Sequence, residues 1–244
     1  YSGVNVLMLM LERTFKGYTS NEWMTFKQAK DLGTEENPVS VRKGEKGTQI
    51  VFTKFVERRD ENDEVISRFP ILKLFSVFNR DQIDGLPEQE EQEPLPEVER
   101  HARADQVIES YHKAEVPISY GGDKAAYYPS RDAITVPAIE AFTDPERFYQ
   151  TTLHEIAHST GHKSRLDRDL TGRFGTPAYA KEELVAEITS AFLCAELQIE
   201  GKLQHEAYID SWIQVLENDH NLIFKAARLA SKAADYVLQH EEVA

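Results

Sequence analysis

Two histidines four residues apart, with a glutamate after the first, form the segment of this chain best equipped for chemistry: His154-Glu155-Ile156-Ala157-His158. Asp144-Pro145 upstream is a good helix start and Gly161 a good stop, so the segment is expected on a helix from Pro145 to Thr160. Positions i and i+4 of a helix share a face, so both imidazoles can converge on one cation. Glu155, about 100° around the helix, can reach a water held there and act as general base. A hydrolytic metal site also needs a third protein ligand and one open position. The helix expected over Tyr179 to Leu197 supplies candidates, because Glu183 and Glu187 again stand at i and i+4. One can bind the cation while the other orients a ligand. Two histidines and a glutamate suit Zn2+, but also Mn2+, Co2+ or iron.

Three further residues stand near this centre. Tyr127, in an expected hairpin from Ala126 to Val136, offers either a phenol donor to substrate or an edge strand for an extended peptide, with packing as the ordinary role of a strand tyrosine. His162 and Arg165 closely follow the histidine helix, where a substrate contact and charge pairing at the helix end are equally open.

A second chemical possibility lies near the amino terminus. Val41-Arg-Lys-Gly-Glu-Lys-Gly-Thr48 places Arg42, Lys43 and Lys46 in a short loop with two glycines, a composition able to grip phosphate. The Walker spacing is absent, so triphosphate binding is unsupported. Tyr18, Trp23, Phe26, Phe52, Phe55, Phe75 and Phe78 offer either core or base-stacking surface. Composition alone favours a solvated basic loop, since residues 1–86 carry no net charge.

These sites need a scaffold, and the chain of 244 residues is long enough for two domains. Residues 87–99 hold six glutamates, three prolines and no basic residue, and read as an acidic linker. Residues 1–86 show an α+β pattern: helices at Val4 to Phe15 and Thr25 to Leu32, then strands Gln49 to Val56 and Ile71 to Phe78 joined through a polar turn at Asp60 to Asp63. Residues 100–244 read as a mainly helical domain with a small sheet. After the helix expected at His101 to Ala114 come the hairpin, the two ligand helices and two more helices through Val237. Trp212, Ile213, Leu216, Leu222, Ile223, Phe224, Ala227 and Leu229 form an apolar stripe for packing.

The net charge of −14 resides in the linker (−6) and the second half (−8), so it does not exclude a nucleic-acid partner for the first. No apolar run is long enough to span a bilayer, and a cytoplasmic location is expected. The single Cys194, in an apolar run, is expected to be buried and inert. The chain begins with Tyr1 rather than methionine, so residues ahead of it are expected.

Two resemblances sharpen these readings. Glu183-Leu-Val-Ala-Glu187 after His154–His158 resembles the thermolysin-type, or gluzincin, arrangement. That resemblance implies Glu183 as third ligand and Glu187 as acceptor for a ligand imidazole, with Glu182 as the weaker alternative to Glu183. In the first half, Tyr1-Ser-Gly-Val-Asn-Val-Leu7, the stretch Gly17 to Gly33, Val41 to Thr48 and Phe75-Ser-Val-Phe-Asn79 resemble the amino-terminal domain of ArdC-type antirestriction proteins, shared with TraC-type primases. The family implies single-stranded DNA binding and a zincin-like carboxy-terminal domain, and with that partner the basic loop and its neighbouring aromatics make Arg42, Lys43, Lys46 and Trp23 the candidate contacts. It further implies a mobile element whose DNA is protected on entering a new cell by conjugation. Departures from the family pattern are the acidic linker and the insertion Thr34-Glu-Glu-Asn-Pro38. The linker is expected to compete with phosphate for the basic loop.

Three function classes follow. The chain is an antirestriction protein that binds single-stranded DNA, a regulatory zinc metallopeptidase cutting a specific protein or peptide, or a non-catalytic DNA-binding module whose metal is structural or switches domain orientation. Loss of function in Glu155→Gln separates the second from the third. Oligomeric state is not encoded in any of these features.

Overall fold

The computed structural model describes residues 1, 3–34, 36–59, 65–87, 97–173, 176–199 and 222–241; of residues 53–59, 65, 67–72 and 97–100 only the backbone is described. The chain mixes helix and sheet and divides into two compact units, residues 5–91 with Tyr1, and residues 92–244 with residues 2–4.

In the first unit, helix α1 (Val4–Lys16) is followed by β1 (Trp23–Thr25), α2 (Phe26–Asp31), β2 (Ser40–Val41), β3 (Thr48–Arg59), β4 (Val65–Asn79) and β5 (Ile83–Asp84). Strands β1, β4 and β3 form an antiparallel sheet in that order, and β2 pairs with β5. One apolar cluster joins Leu9 of α1 to Ile50, Val77 and Trp23; another joins Ala29 of α2 to Val39, Ile83, Met24 and Phe78. The Asn5 carboxamide donates to Val51 O and accepts from Val51 N, both at 2.8 Å, which satisfies the edge of β3 with a side chain. Thr25 and Gln28 form a capping box that starts α2.

The hairpin of β3 and β4 is longer than the sequence pattern suggests. Pro70 argues against a strand there, yet it pairs with Phe55. β1 flanks β4 only at Val77–Asn79, so at Pro70 β3 is the strand's one partner among the described residues and a missing N–H is tolerated. β1 itself, three residues long, leaves no periodicity to detect. The turn expected at Asp60 to Asp63 lies outside the described residues.

The second unit contains α3 (Glu97–Ala114), β6 (Ile118–Tyr120), β7 (Ala126–Tyr128), β8 (Ala133–Val136), α4 (Pro145–Ser159), α5 (Pro177–Glu196) and α6 (Leu222–Leu238). Helix α3 begins inside the stretch read as linker; most of the remainder of that stretch, residues 88–96, lies outside the described residues. β8 runs parallel to β6 and antiparallel to β7, which places β7 at the sheet edge. Asp144 caps α4 by accepting from Arg147 N at 2.9 Å, Thr176 caps α5 by accepting from Tyr179 N at 3.3 Å, and Pro145 and Pro177 each occupy a first-turn position whose N–H would have no helical partner.

Tyr111, Leu153, Ile156, Ile134, Val136, Leu193 and Leu197 are fully buried around α4. Each such side chain contributes about 1.5–3 kcal/mol by leaving water. Buried Ala226, Ala227, Ala230, Ala233 and Ala234 give α6 a flat face against α5. Alanines thus line the middle of that face, with Leu222 and Val237 buried toward its ends, and Phe224, read as part of the stripe, is 44% exposed. Trp212, Ile213 and Leu216 lie outside the described residues. Cys194 is buried, and burial pushes its thiol up to about 12. Among the described residues no helix is long and apolar enough to cross a membrane.

Candidate metal centre

The spacing in α4 brings the two histidine rings together, with centroids 4.7 Å apart, and α5 packs against them with Glu183. Glu183 Oε2 lies 3.6 Å from His154 Nε2 and its Oε1 lies 3.4 Å from His158 Nε2. One potential ligand atom from each of His154, His158 and Glu183 falls within 4.8 Å of the others, and this is the one such cluster among the described residues. The opposite nitrogens meet other carboxylates: His154 Nδ1 lies 3.2 Å from Glu187 Oε2, and His158 Nδ1 lies 3.3 Å from Glu182 Oε1. Each imidazole therefore turns Nε2 inward to Glu183 and Nδ1 outward to an orienting carboxylate. That division fixes the tautomer a metal ligand needs.

The electrostatics agree with a cation-binding cluster. Burial alone would drive His158 to its neutral form, but Glu182 and Glu183 prevail and its pKa is pushed up to about 10. His154 is raised in the same way by Glu183 and Glu187, against burial. Glu183 is held well below the usual carboxylate range; burial opposes this, and the two imidazoles outweigh it. Carboxylates that hold positive charge on both imidazoles fit a site where a divalent cation takes the place of those protons.

Glu155 is placed by an element outside its helix. Tyr127 N, on the edge strand β7, donates to Glu155 Oε2 at 2.7 Å. The phenol of Tyr127 turns the other way, donating to Asp132 Oδ1 at 2.8 Å and accepting from Arg165 Nη2 at 3.4 Å. Burial and Asp132 raise its pKa. The backbone of Tyr127, rather than its hydroxyl, thus reaches the centre. His162 faces Ser164 Oγ at 2.8 Å and Asp132 Oδ2 at 3.6 Å. Arg165 is buried, pairs with Asp132, and donates to Ser159 O at 2.8 Å.

Arg168 escapes motif reading, and Glu182, the alternative third ligand in the sequence, faces the outer nitrogen of His158 instead. Glu182 orients His158, and Arg168 grips Glu182 through Nε to Oε2 at 2.9 Å and Nη2 to Oε1 at 2.7 Å. Burial would raise Glu182, but Arg168 and His158 lower it. The available signal was the arginine pair, Arg165 and Arg168, in the loop between the two ligand helices.

In the first unit the basic loop is tied down by contacts at Glu45, Lys46 and Gly47. Gln82, buried, donates to Glu45 Oε2 at 2.9 Å and Lys46 O at 3.1 Å. Gly47 lies so close to β4 that a Cβ would fall 3.1 Å from Val77 O, and Gly44 takes a left-handed φ of 95°. Lys43 and Lys46 are exposed. Arg42 differs: it pairs with Glu45 at 3.1 Å and Asp84 at 3.5 Å, and donates to Asp81 O. Glu45 is lowered first by the Gln82 hydrogen bond and also by Arg42, against desolvation. Trp23 packs into the α1 cluster and meets Tyr18 edge-on at 5.8 Å, so it is half-buried rather than a free stacking surface. Phe52 and Phe75, an edge-to-face pair 5.4 Å apart, are 46% and 42% exposed.

Comparison with known proteins places both units. A family model described as a zincin-like metallopeptidase matches residues 102–229, and one described as the N-terminal domain of the anti-restriction factor ArdC matches residues 1–78. A DNA primase TraC of Escherichia coli is 41% identical over 99% of this chain, which spans 17% of that protein's length. The protein y4eC of Sinorhizobium fredii is 38% identical over 97% of this chain and 77% of its own length. Crystal structures of the antirestriction protein ArdC from plasmid R388, metal-free and Mn(II)-bound, match with TM-scores of 0.80 and 0.76 at 41% and 40% identity, covering 99% of this chain and 85% of that one.

Proposed function

The chain belongs to the ArdC antirestriction family and carries its zincin-like domain, and from that premise we propose that it protects the DNA of a mobile element by binding it single-stranded while its second unit holds a divalent cation. The observation that carries the cation reading is the convergence of His154 Nε2, His158 Nε2 and Glu183 on one point, with Nδ1 of each imidazole spoken for by Glu187 and Glu182. The Mn(II)-bound R388 relative supports a divalent ion, and Zn2+ suits the same donors. When bound there, such an ion acts as a Lewis acid toward water or a carbonyl oxygen.

The DNA reading is supported by the amino-terminal match, by exposed Lys43 and Lys46 on a loop held by Gln82, and by exposed Phe52 and Phe75 on the same unit. Lysines neutralise phosphates and phenyl rings stack on bases, which suits an unpaired strand without sequence preference. Titration of a fluorescent single strand and of its duplex, each with metal-loaded and chelated protein at two salt concentrations, tests this. A salt-sensitive preference for the single strand is expected. Equal binding of both, or of neither, removes the reading.

A metallopeptidase activity is favoured as a second reading by the contact of Tyr127 N with Glu155. Glu155, anchored through one oxygen beside the ligand helix face, keeps the other available to take a proton from water and pass it to a leaving amine. The edge of β7 lies beside this carboxylate, where an extended peptide segment can pair. Cleavage of a candidate protein by the wild type but not by Glu155→Gln supports it; equal cleavage by both rejects it.

A further inference from the structure

We propose that Arg168 selects the third metal ligand, by holding Glu182 against the outer nitrogen of His158 so that Glu183 alone reaches the cation. The inference rests on the metal-centre reading above. Two adjacent carboxylates, Glu182 half-buried and Glu183 buried, touch the same imidazole: Glu182 Oε1 at 3.3 Å from Nδ1, and Glu183 Oε1 at 3.4 Å from Nε2. Neighbours on a helix differ by about 100° in direction, a gap that a glutamate side chain with three torsions can span. Sequence alone therefore leaves either residue able to ligate. A buried carboxylate without a partner is costly, and a nearby cation is the partner it would take.

Arg168 removes that option. It binds both oxygens of Glu182 and also grips α4 and its C-cap, Nη2 to Ala157 O at 2.8 Å and Nη1 to Thr160 Oγ1 at 2.7 Å. Its side chain is 4% exposed. One guanidinium thus ties the helix bearing both histidines to the helix bearing both glutamates.

The loop carrying it is shaped around that task. A Cβ on Gly161 would fall 3.0 Å from Arg168 Nη2, and a Cβ on Gly172 would fall 2.3 Å from Tyr179 N in the first turn of α5. Arg168 N also donates to Gly161 O at 2.9 Å, which folds the loop back on the end of α4. The planar fork of arginine matches a carboxylate in a way lysine does not.

The test is a Mn2+ titration of the full chain, reading free Mn2+ by electron paramagnetic resonance, across single and double variants. Arg168→Gln is expected to weaken Mn2+ binding about 10–100-fold. Glu183→Gln is expected to weaken it more strongly when Arg168 is present, but by less than about threefold in the Arg168→Gln background, because Glu182 then takes the ligand position. Adding Glu182→Gln to Arg168→Gln restores the full dependence on Glu183. Equal losses from Glu183→Gln with and without Arg168, or unchanged affinity in Arg168→Gln, overturn the proposal. Should Arg168→Gln lose its circular dichroism spectrum, Arg168→Lys is read in the same cycle with the same criteria, since it retains the charge but not the fork. His154→Ala separates the two levels of inference. If it binds Mn2+ like the wild type, the metal-centre reading itself fails; if it does not bind and the Arg168 and Glu183 losses are additive, only the ligand-selection proposal fails.

Discussion

Tyr127 donates its backbone N–H to Glu155 Oε2 at 2.7 Å, across 28 positions of sequence. The contact comes from an edge strand to a helix, so the orientation of Glu155 is set by the sheet as much as by its own helix. A main-chain donor cannot be lost by rotation of a side chain, which makes it a durable anchor for the carboxylate proposed as general base.

Glu155→Gln keeps an oxygen for that anchor and removes the base. Any peptide hydrolysis is expected to fall about 10²–10⁴-fold, with Mn2+ affinity within a few-fold of wild type. Stopped turnover assays paired with metal titration check this. A variant that cleaves at the wild-type rate would dismiss Glu155 as base.

Metal affinity should rise with pH. In the metal-free protein the pKa of His158 is pushed up to about 10, whereas in its proposed role as ligand it must be neutral, so each cation bound there at neutral pH would displace at least one proton. The association constant is expected to grow by about tenfold per pH unit between pH 6 and 8. Without metal the sign reverses. The raised pKa of His158 contributes stability that is complete below its ordinary value of 6.5 and lost as pH climbs through about 10. Lowered Glu183 contributes stability that is present above its ordinary 4.5 and lost at more acid pH. Calorimetric titration in two buffers of different ionisation enthalpy counts the protons directly. A pH-independent affinity would remove this account.

The sequence disclosed the histidine helix, its caps and the helix facing it, because Asp144-Pro145, the i,i+4 histidines and the Glu183/Glu187 pair are local patterns. It did not disclose contacts made across large separations. Arg168 on Glu182, Asp132 under Arg165, and Tyr127 N on Glu155 join residues 14, 33 and 28 positions apart, and no periodicity marks such pairs. The same limit applies to Arg42. As one of three cations in a glycine loop it reads like its neighbours, and only the strand pairing of β2 with β5 brings Asp84 beside it. β6 escaped notice because its three residues show no repeat, and its parallel partner β8 follows 13 residues later.

Arg165 and Asp132 form an ion pair whose arginine side chain is 2% exposed. Asp132 closes the turn between β7 and β8 with a left-handed φ of 46°, so the pair holds the strand that carries Tyr127. Burial acts to raise the Asp132 carboxyl, but bonds from Arg165 and Tyr127 lower it. Arg165→Met is expected to cost about 1–3 kcal/mol, because it takes the charged partner from a half-buried carboxylate and leaves it the Tyr127 hydroxyl and His162. The contribution of Asp132 is present above its unfolded value of 3.8 and lost at more acid pH, so wild type and variant should converge in stability as pH falls below 3.8. Urea unfolding at pH 7 and pH 3 measures both. A difference under 1 kcal/mol at pH 7 would show that the pair is not coupled to folding.

Arg42, Lys43 and Lys46 should separate in their effects on DNA, although one loop carries all three. Lys43 and Lys46 project from a loop held by Gln82, and each is free to neutralise a phosphate. Each phosphate contact adds about 0.7 to the slope of log affinity against log salt for a single strand, so the double variant Lys43→Gln/Lys46→Gln is expected to flatten the slope by about 1.4. Arg42 is already paired with Glu45 and Asp84. Engaging a phosphate would first require breaking those bonds, so Arg42→Gln is expected to lower affinity by loosening the loop while leaving the slope nearly unchanged. Oligonucleotide titrations from 50 to 200 mM salt distinguish the two behaviours. An Arg42→Gln slope as shallow as that of a lysine variant would mean that the guanidinium leaves its carboxylates for DNA, and that the loop rearranges on binding.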